Sequence, residues 1–84
     1  MNSIRIQISL FGQARELADT QAIEMNVEQP ATVESAFAAL KSRYPKLAPM
    51  ERSLMFAVNE EYARMTTVLN DGDDVAFLPP VSGG

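Results

Sequence analysis

The sequence predicts an α+β fold, a mixed sheet with one main helix packed across one face. Three observations predict it. Ile4, Ile6, Ile8 and Leu10 alternate with Arg5, Gln7 and Ser9, the period of a strand with one buried face. Val33, Ala36, Phe37 and Leu40 recur at i, i+3, i+4 and i+7, one stripe of an amphipathic helix. Short apolar runs separated by turn residues then occupy the chain from Leu54 to Leu78. A hairpin followed by a helix and more strands places the helix across one face of a sheet.

The elements follow in order. The first strand covers Ile4 to Leu10 and breaks at Phe11-Gly12, after which Gln13 to Ala18 reads as a short helical turn or loop. A second strand runs from Gln21 to Val27, with Ile23, Met25 and Val27 on one face, and Gln29-Pro30-Ala31 ends it. Thr32 is a helix N-cap, since its hydroxyl can accept from an otherwise unpaired backbone N–H. Glu34 in the first turn suits the helix dipole, and Pro45 stops the helix near Arg43 by disfavouring helical geometry at Tyr44. Lys46 to Arg52, with Pro49 inside, reads as a loop. Leu54 to Val58 reads as a central strand, Asn59-Glu60-Glu61 as a turn, and Tyr62 to Arg64 as a short returning strand. Asn70-Asp71-Gly72-Asp73 is turn chemistry, and Asp74 to Leu78 is the last strand, closed by Pro79-Pro80. Residues 1–78 then form the domain, and residues 79–84 a flexible C-terminal tail. A ubiquitin-like β-grasp is the arrangement this order favours, although the order by itself also permits other small α+β folds.

Composition narrows the function. Eighty-four residues allow one domain, with little interior for a deep substrate pocket. Hydrophobic residues at 46% and charged residues at 21% describe a globular chain, not a disordered one. The absence of cysteine excludes disulfides, zinc–thiolate sites and thiol catalysis. The absence of histidine removes the commonest general base and metal ligand. Together these argue against a self-contained enzyme. Seven Lys and Arg against eleven Asp and Glu give a net charge of −4, which opposes nucleic-acid binding and suits a basic protein partner. No run approaches the roughly 18 apolar residues of a membrane span, and the alternating N-terminus does not resemble a signal peptide. A soluble cytoplasmic protein is expected.

Two features carry chemistry. The first is the C-terminal Gly83-Gly84. A terminal carboxylate that is activated and passed between active sites must enter a narrow channel, and glycine lets the backbone approach other groups closely. Pro79 to Gly84 can span roughly 20 Å when extended. Pro79-Pro80 stiffens the root of this arm and lowers the entropy lost when it docks. A frayed end is the plain alternative. The second feature is the pair Phe11 and Leu78, which fall on the parity opposite to the buried residues of the first and last strands. If those strands lie parallel and adjacent, both side chains sit where the tail emerges and form a partner surface; ordinary burial at a strand end is the alternative. Asn70-Asp71-Gly72-Asp73-Asp74 lacks the full ligand spacing and closing glutamate of a calcium loop, so it reads as a turn. Glu60-Glu61 reads as a solvated hairpin tip able to add acidic rim contacts.

Several motifs together resemble one known family. They are Phe11-Gly12-Gln13-Ala14-Arg15-Glu16-Leu17, Thr32-Val33, Val58-Asn59, and the closing run from Asp71 through Phe77-Leu78-Pro79-Pro80-Val81-Ser82-Gly83-Gly84. The chain is similar over its whole length to the sulfur-carrier small subunit of molybdopterin synthase. Its most specific piece is Pro79-Pro80-Val81-Ser82-Gly83-Gly84, because a bare Gly-Gly is shared with the thiamin-pathway carrier and ubiquitin-like modifiers.

The resemblance implies a β-grasp fold and a sulfur-carrier role. An adenylating enzyme of the ubiquitin-activating type would use ATP to activate the Gly84 carboxylate, and a sulfur donor would convert the adenylate to a thiocarboxylate. The tail would then enter the large subunit of molybdopterin synthase and give its sulfur to cyclic pyranopterin monophosphate, for molybdenum cofactor biosynthesis. Gly84 would bear the sulfur and Gly83 would let it thread. Phe11, Tyr62 and Leu78, with Pro79, Pro80 and Val81, would contact the partners, although Tyr62 stands where the family has an aliphatic residue. The family also implies a heterotetramer of two carriers on a large-subunit dimer. A thiocarboxylate needs no side-chain acid or base on its carrier, so this chain would be a sulfur-donating, non-catalytic subunit with no directly bound cofactor or metal. The rival readings are a carrier for thiamin or tRNA thiolation, a protein modifier joined through Gly84, and a plain interaction domain.

Overall fold

The alternation of Ile4, Ile6, Ile8 and Leu10 puts all four side chains on one face of the first strand, where each is buried. A computed structural model describes residues 2–79. Its elements are β1 (Ser3–Leu10), α1 (Gly12–Ala18), β2 (Ala22–Glu28), α2 (Val33–Arg43), a 3₁₀ helix (Pro45–Met50), β3 (Met55–Val58), β4 (Glu61–Ala63) and β5 (Asp74–Leu78). The five strands form one sheet in the order β2-β1-β5-β3-β4. β1 pairs antiparallel with β2 and parallel with β5, while β3 pairs antiparallel with both β5 and β4. This is the β-grasp arrangement that the element order favours. The first and last strands are parallel neighbours, as expected, with Gln7 opposite Asp74 and Leu10 opposite Phe77.

Helix α2 lies where its stripe predicts. Val33, Ala36, Phe37 and Leu40 are all buried. Phe37 meets Phe56 of β3 and Phe77 of β5 at ring-centroid distances of 6.4 and 5.4 Å, and the two strand phenylalanines are 5.4 Å apart at near-perpendicular tilt. Edge-on contacts of this kind add to the hydrophobic gain of burying each ring. The trio ties the helix to the middle of the sheet.

Both ends of α2 follow from local chemistry. Thr32 Oγ1 accepts from the Ser35 N–H, and Ser35 Oγ accepts from the Thr32 N–H at 2.8 Å, a reciprocal capping box. The next two N–H groups, of Val33 and Glu34, donate to the carbonyls of Thr67 and Met65. The segment before β5 therefore completes the helix start, and Leu69 within it is buried. That pairing joins positions more than thirty residues apart, so no local pattern announces it.

Three expectations need correction. The segment expected as a loop from Lys46 to Arg52 holds the 3₁₀ helix. Pro45 opens it with a φ already fixed near the helical value, and Leu47 and Met50, three residues apart, share a face and are buried. The expected central strand, β3, lies one place from the edge; β5 occupies the middle, because it pairs with both β1 and β3. The returning strand is Glu61–Ala63, one residue earlier than expected, because Asn59 and Glu60 alone make the turn.

The cap predicts a measurable effect. Thr32→Ala should cost about 1 kcal/mol and lower Tm by roughly 4–8 °C, read by thermal unfolding, with the fold retained.

Candidate functional site

The sheet face turned away from α2 carries the residues that alternate with the buried ones in each strand, and on it the expected side chains come together. Register sets the rows: Ala76 of β5 stands opposite Ser9 of β1 and Ala57 of β3, and Ala57 stands opposite Tyr62 of β4. Two alanines in the middle of a sheet face leave it low, and larger residues around them make a rim. The result is an open depression of about 310 Å³ lined by Phe11, Ala57, Glu60, Tyr62, Ala76 and Leu78. Phe11 is 45% exposed and Tyr62 73% exposed, so neither is core. Leu78 is half-buried, opposite Met55 in the ladder. The alternative of ordinary burial at a strand end therefore does not describe Phe11.

Phe11 reaches this face because the β1–β5 ladder runs one residue beyond β1. Its N–H donates to the Phe77 carbonyl at 3.2 Å, which holds Phe11 beside Leu78. Gly12 then turns the chain into α1 at φ +61°, in the left-handed region. The same glycine makes room for Pro79: a Cβ at Gly12 would lie 3.1 Å from Pro79 Cγ, tighter than ordinary van der Waals contact. The chain thus leaves the sheet over Gly12, at the end where Phe11 and Leu78 sit. Pro79 does not line the depression. Pro80, Val81, Gly83 and Gly84, also singled out from the sequence, lie outside the described residues.

The opposite end of the hairpin is polar and internally paired. Asn59 Oδ1 accepts from the Asp74 N–H and Asn59 Nδ2 donates to Asp73 Oδ1, both at 3.0 Å. Asp71 Oδ1 accepts from the Arg5 N–H at 2.8 Å. The Asn70–Asp74 carboxylates are thus used in holding the turn against the sheet, as a turn reading requires. Among the described residues no group of three or more acidic, His or Cys side chains is arranged to hold a metal ion. Among the described residues no helix is long and apolar enough to cross a membrane.

Sequence reasoning missed Ala57, Ala76 and the second role of Gly12. Their signal was present but faint: small residues at outward parity in two strands, and a glycine directly after an outward phenylalanine.

Comparison with known proteins agrees with this geometry. The family model described as ThiS family matches residues 8–84. The chain belongs to the ThiS family. A curated relative from Escherichia coli (strain K12), named molybdopterin synthase sulfur carrier subunit, is 42% identical over 82 residues, covering 94% of this chain and 99% of the relative. A relative of the same name from Mycobacterium tuberculosis is 38% identical over 82 residues, covering 96% of this chain and 99% of its own. Among solved structures, the crystal structure of SAMP1 from Haloferax volcanii superposes with a TM-score of 0.84 at 28% identity, covering 95% of this chain and 99% of that one. The ThiS-family chain described here therefore has a ubiquitin-like β-grasp fold with an apolar depression where its last strand ends.

Two substitutions separate the roles of these residues. Gly12→Ala should destabilise by about 1–3 kcal/mol, since it forces a side chain into the left-handed region against Pro79. Tyr62→Lys should leave stability within about 0.5 kcal/mol of wild type, because the side chain is mostly in solvent. Denaturant titration of both variants checks this.

Proposed function

We propose that this chain is the sulfur-carrying small subunit of molybdopterin synthase, acting in the cytoplasm through its C-terminal Gly84. The reading is carried by one observation above all. An apolar depression bordered by Phe11, Tyr62 and Leu78 stands where β5 ends, so a partner seated on it receives the chain that continues toward Gly83-Gly84. Relatives at 42% and 38% identity bearing the sulfur carrier subunit name support the same assignment.

The chemistry needs little from the carrier itself. Attack of the Gly84 carboxylate on the α-phosphate of ATP forms an acyl-adenylate and releases pyrophosphate. A sulfur donor then displaces AMP, leaving sulfur in place of one carboxylate oxygen. The thiocarboxylate is a nucleophile without any neighbouring base, consistent with a sequence that has no His and no Cys. ATP, the sulfur donor and cyclic pyranopterin monophosphate are bound by the adenylating enzyme and the synthase large subunit. This chain contributes recognition and reach: the depression docks the partner, and Pro79, Pro80 and Val81 direct the glycines into its active site. Phe11 and Leu78 supply apolar contact, which drives association without demanding hydrogen-bond geometry.

The deciding experiment is intact-mass measurement after incubation with the adenylating enzyme of molybdenum cofactor biosynthesis, ATP and a sulfur donor. The wild-type chain should gain the mass difference between sulfur and oxygen. A truncation lacking Gly84, and a variant with one residue added after it, should remain unchanged while keeping wild-type Tm. Normal loading of either variant would overturn the tail chemistry. Stable higher-mass conjugates on denaturing gels would instead indicate a protein modifier.

A further inference from the structure

Glu60 is the one charged residue among the six described residues that line the depression. It is also the residue whose backbone conformation suits it least. β3 and β4 are joined by a two-residue turn, with Val58 opposite Glu61 and with Asn59 at φ +51° and Glu60 at φ +72°. Turns with both central residues at positive φ favour Asn-Gly, since glycine carries no Cβ penalty there. Asn59 is compensated by its two side-chain bonds to Asp73 and Asp74. Glu60 has no such compensation: among the described residues its carboxylate joins neither an ion pair nor a side-chain hydrogen bond. The backbone calls for glycine, and among the described residues the side chain holds nothing in place. A strained residue that the fold does not use, on the edge of a docking surface, points to a role for its side chain in binding.

We propose that Glu60 is the charged rim contact of this depression, meeting an arginine or lysine that the molybdopterin synthase large subunit places beside the apolar side chain it inserts. The inference rests on the docking role proposed above and adds the chemistry of the partner's surface. The depression floor is Ala57 and Ala76 and its walls are Phe11, Tyr62 and Leu78, so it accepts an apolar group from several directions. An apolar contact alone does not set orientation. One carboxylate at one end does, because the partner's cation must lie toward the β3–β4 turn while the tail enters from the Leu78 end. Glu60 is solvent-exposed, so its effect falls on association rate and salt dependence more than on dissociation.

The test measures binding kinetics of the full chain to the molybdopterin synthase large subunit from the same organism, across ionic strength. Glu60→Gln should slow association about fivefold at low salt, and the difference should close near 1 M salt, where the screening length is about 3 Å. Glu61→Gln removes the same charge one residue away, outside the depression, and should change association much less. Glu60→Gly should raise Tm while slowing association as Glu60→Gln does. Equal effects of the Glu60 and Glu61 variants would reduce the result to net charge and overturn the contact. So would a Glu60→Gln variant that matches wild type at every salt concentration while Leu78→Lys abolishes binding, although the docking role itself would then stand. If wild type does not bind the large subunit at all, the docking role and the Glu60 contact fall together.

Discussion

Four residue pairs, from Gln7–Asp74 to Leu10–Phe77, hold the last strand parallel to the first and place it in the middle of the sheet. Everything at the candidate site depends on that pairing. Because the strands run in the same direction, Phe11 and Leu78 finish at the same end, and the ladder's extra bond from Phe11 to Phe77 keeps them side by side. Gly12 and Pro79 follow as the next neighbours and meet in close contact. An antiparallel arrangement of the same two strands would have put the apolar surface at one end of the sheet and the chain's exit at the other.

The central position of β5 also joins the two faces of the sheet to one another. On its inner face, Val75 and Phe77 are fully buried, with Phe77 between Phe37 and Phe56. On its outer face, Ala76 and Leu78 contribute floor and rim to the depression. A strand alternates its side chains strictly, so tight packing of Phe77 under α2 fixes how Ala76 and Leu78 are presented on the other side. The core thereby orients the apolar depression without touching it. Building the depression on a sheet rather than a loop keeps Phe11, Tyr62 and Leu78 in a defined arrangement, which would reduce the entropy lost in the docking proposed above.

Two positions with positive φ frame this surface and behave oppositely. Gly12 satisfies its backbone with the residue that conformation favours, and uses the missing side chain to admit Pro79. Glu60 holds the same backbone region with a long charged side chain that bonds to none of the described residues. One is explained by the fold, and for the other the proposed partner contact supplies the reason. The distribution of polar bonds agrees, since the neighbouring Asn59, Asp73 and Asp74 are committed to one another while Glu60 faces outward.

The sequence by itself determined the elements whose cause is local. Alternation in residues 4–10, the Thr32 cap with its four-residue stripe, and the stop at Pro45 each act within a few positions, and Asp74–Leu78 emerged with the same boundaries. The lack of His and Cys likewise removed thiol and imidazole chemistry from the chain's own side chains before any fold was known. The tertiary structure decided what depends on distant pairing. The 3₁₀ helix forms because Leu47 and Met50 find a core to enter, and a periodicity of three over so short a span is not distinctive. Ala57, Ala76, Tyr62 and Glu60 become one surface only through the β5–β3–β4 register, and the help that Met65 and Thr67 give to α2 comes from the far side of the chain. Side-chain alternation tells each strand which residues share a face, but only the long-range ladder says which faces, and which residues along them, will meet.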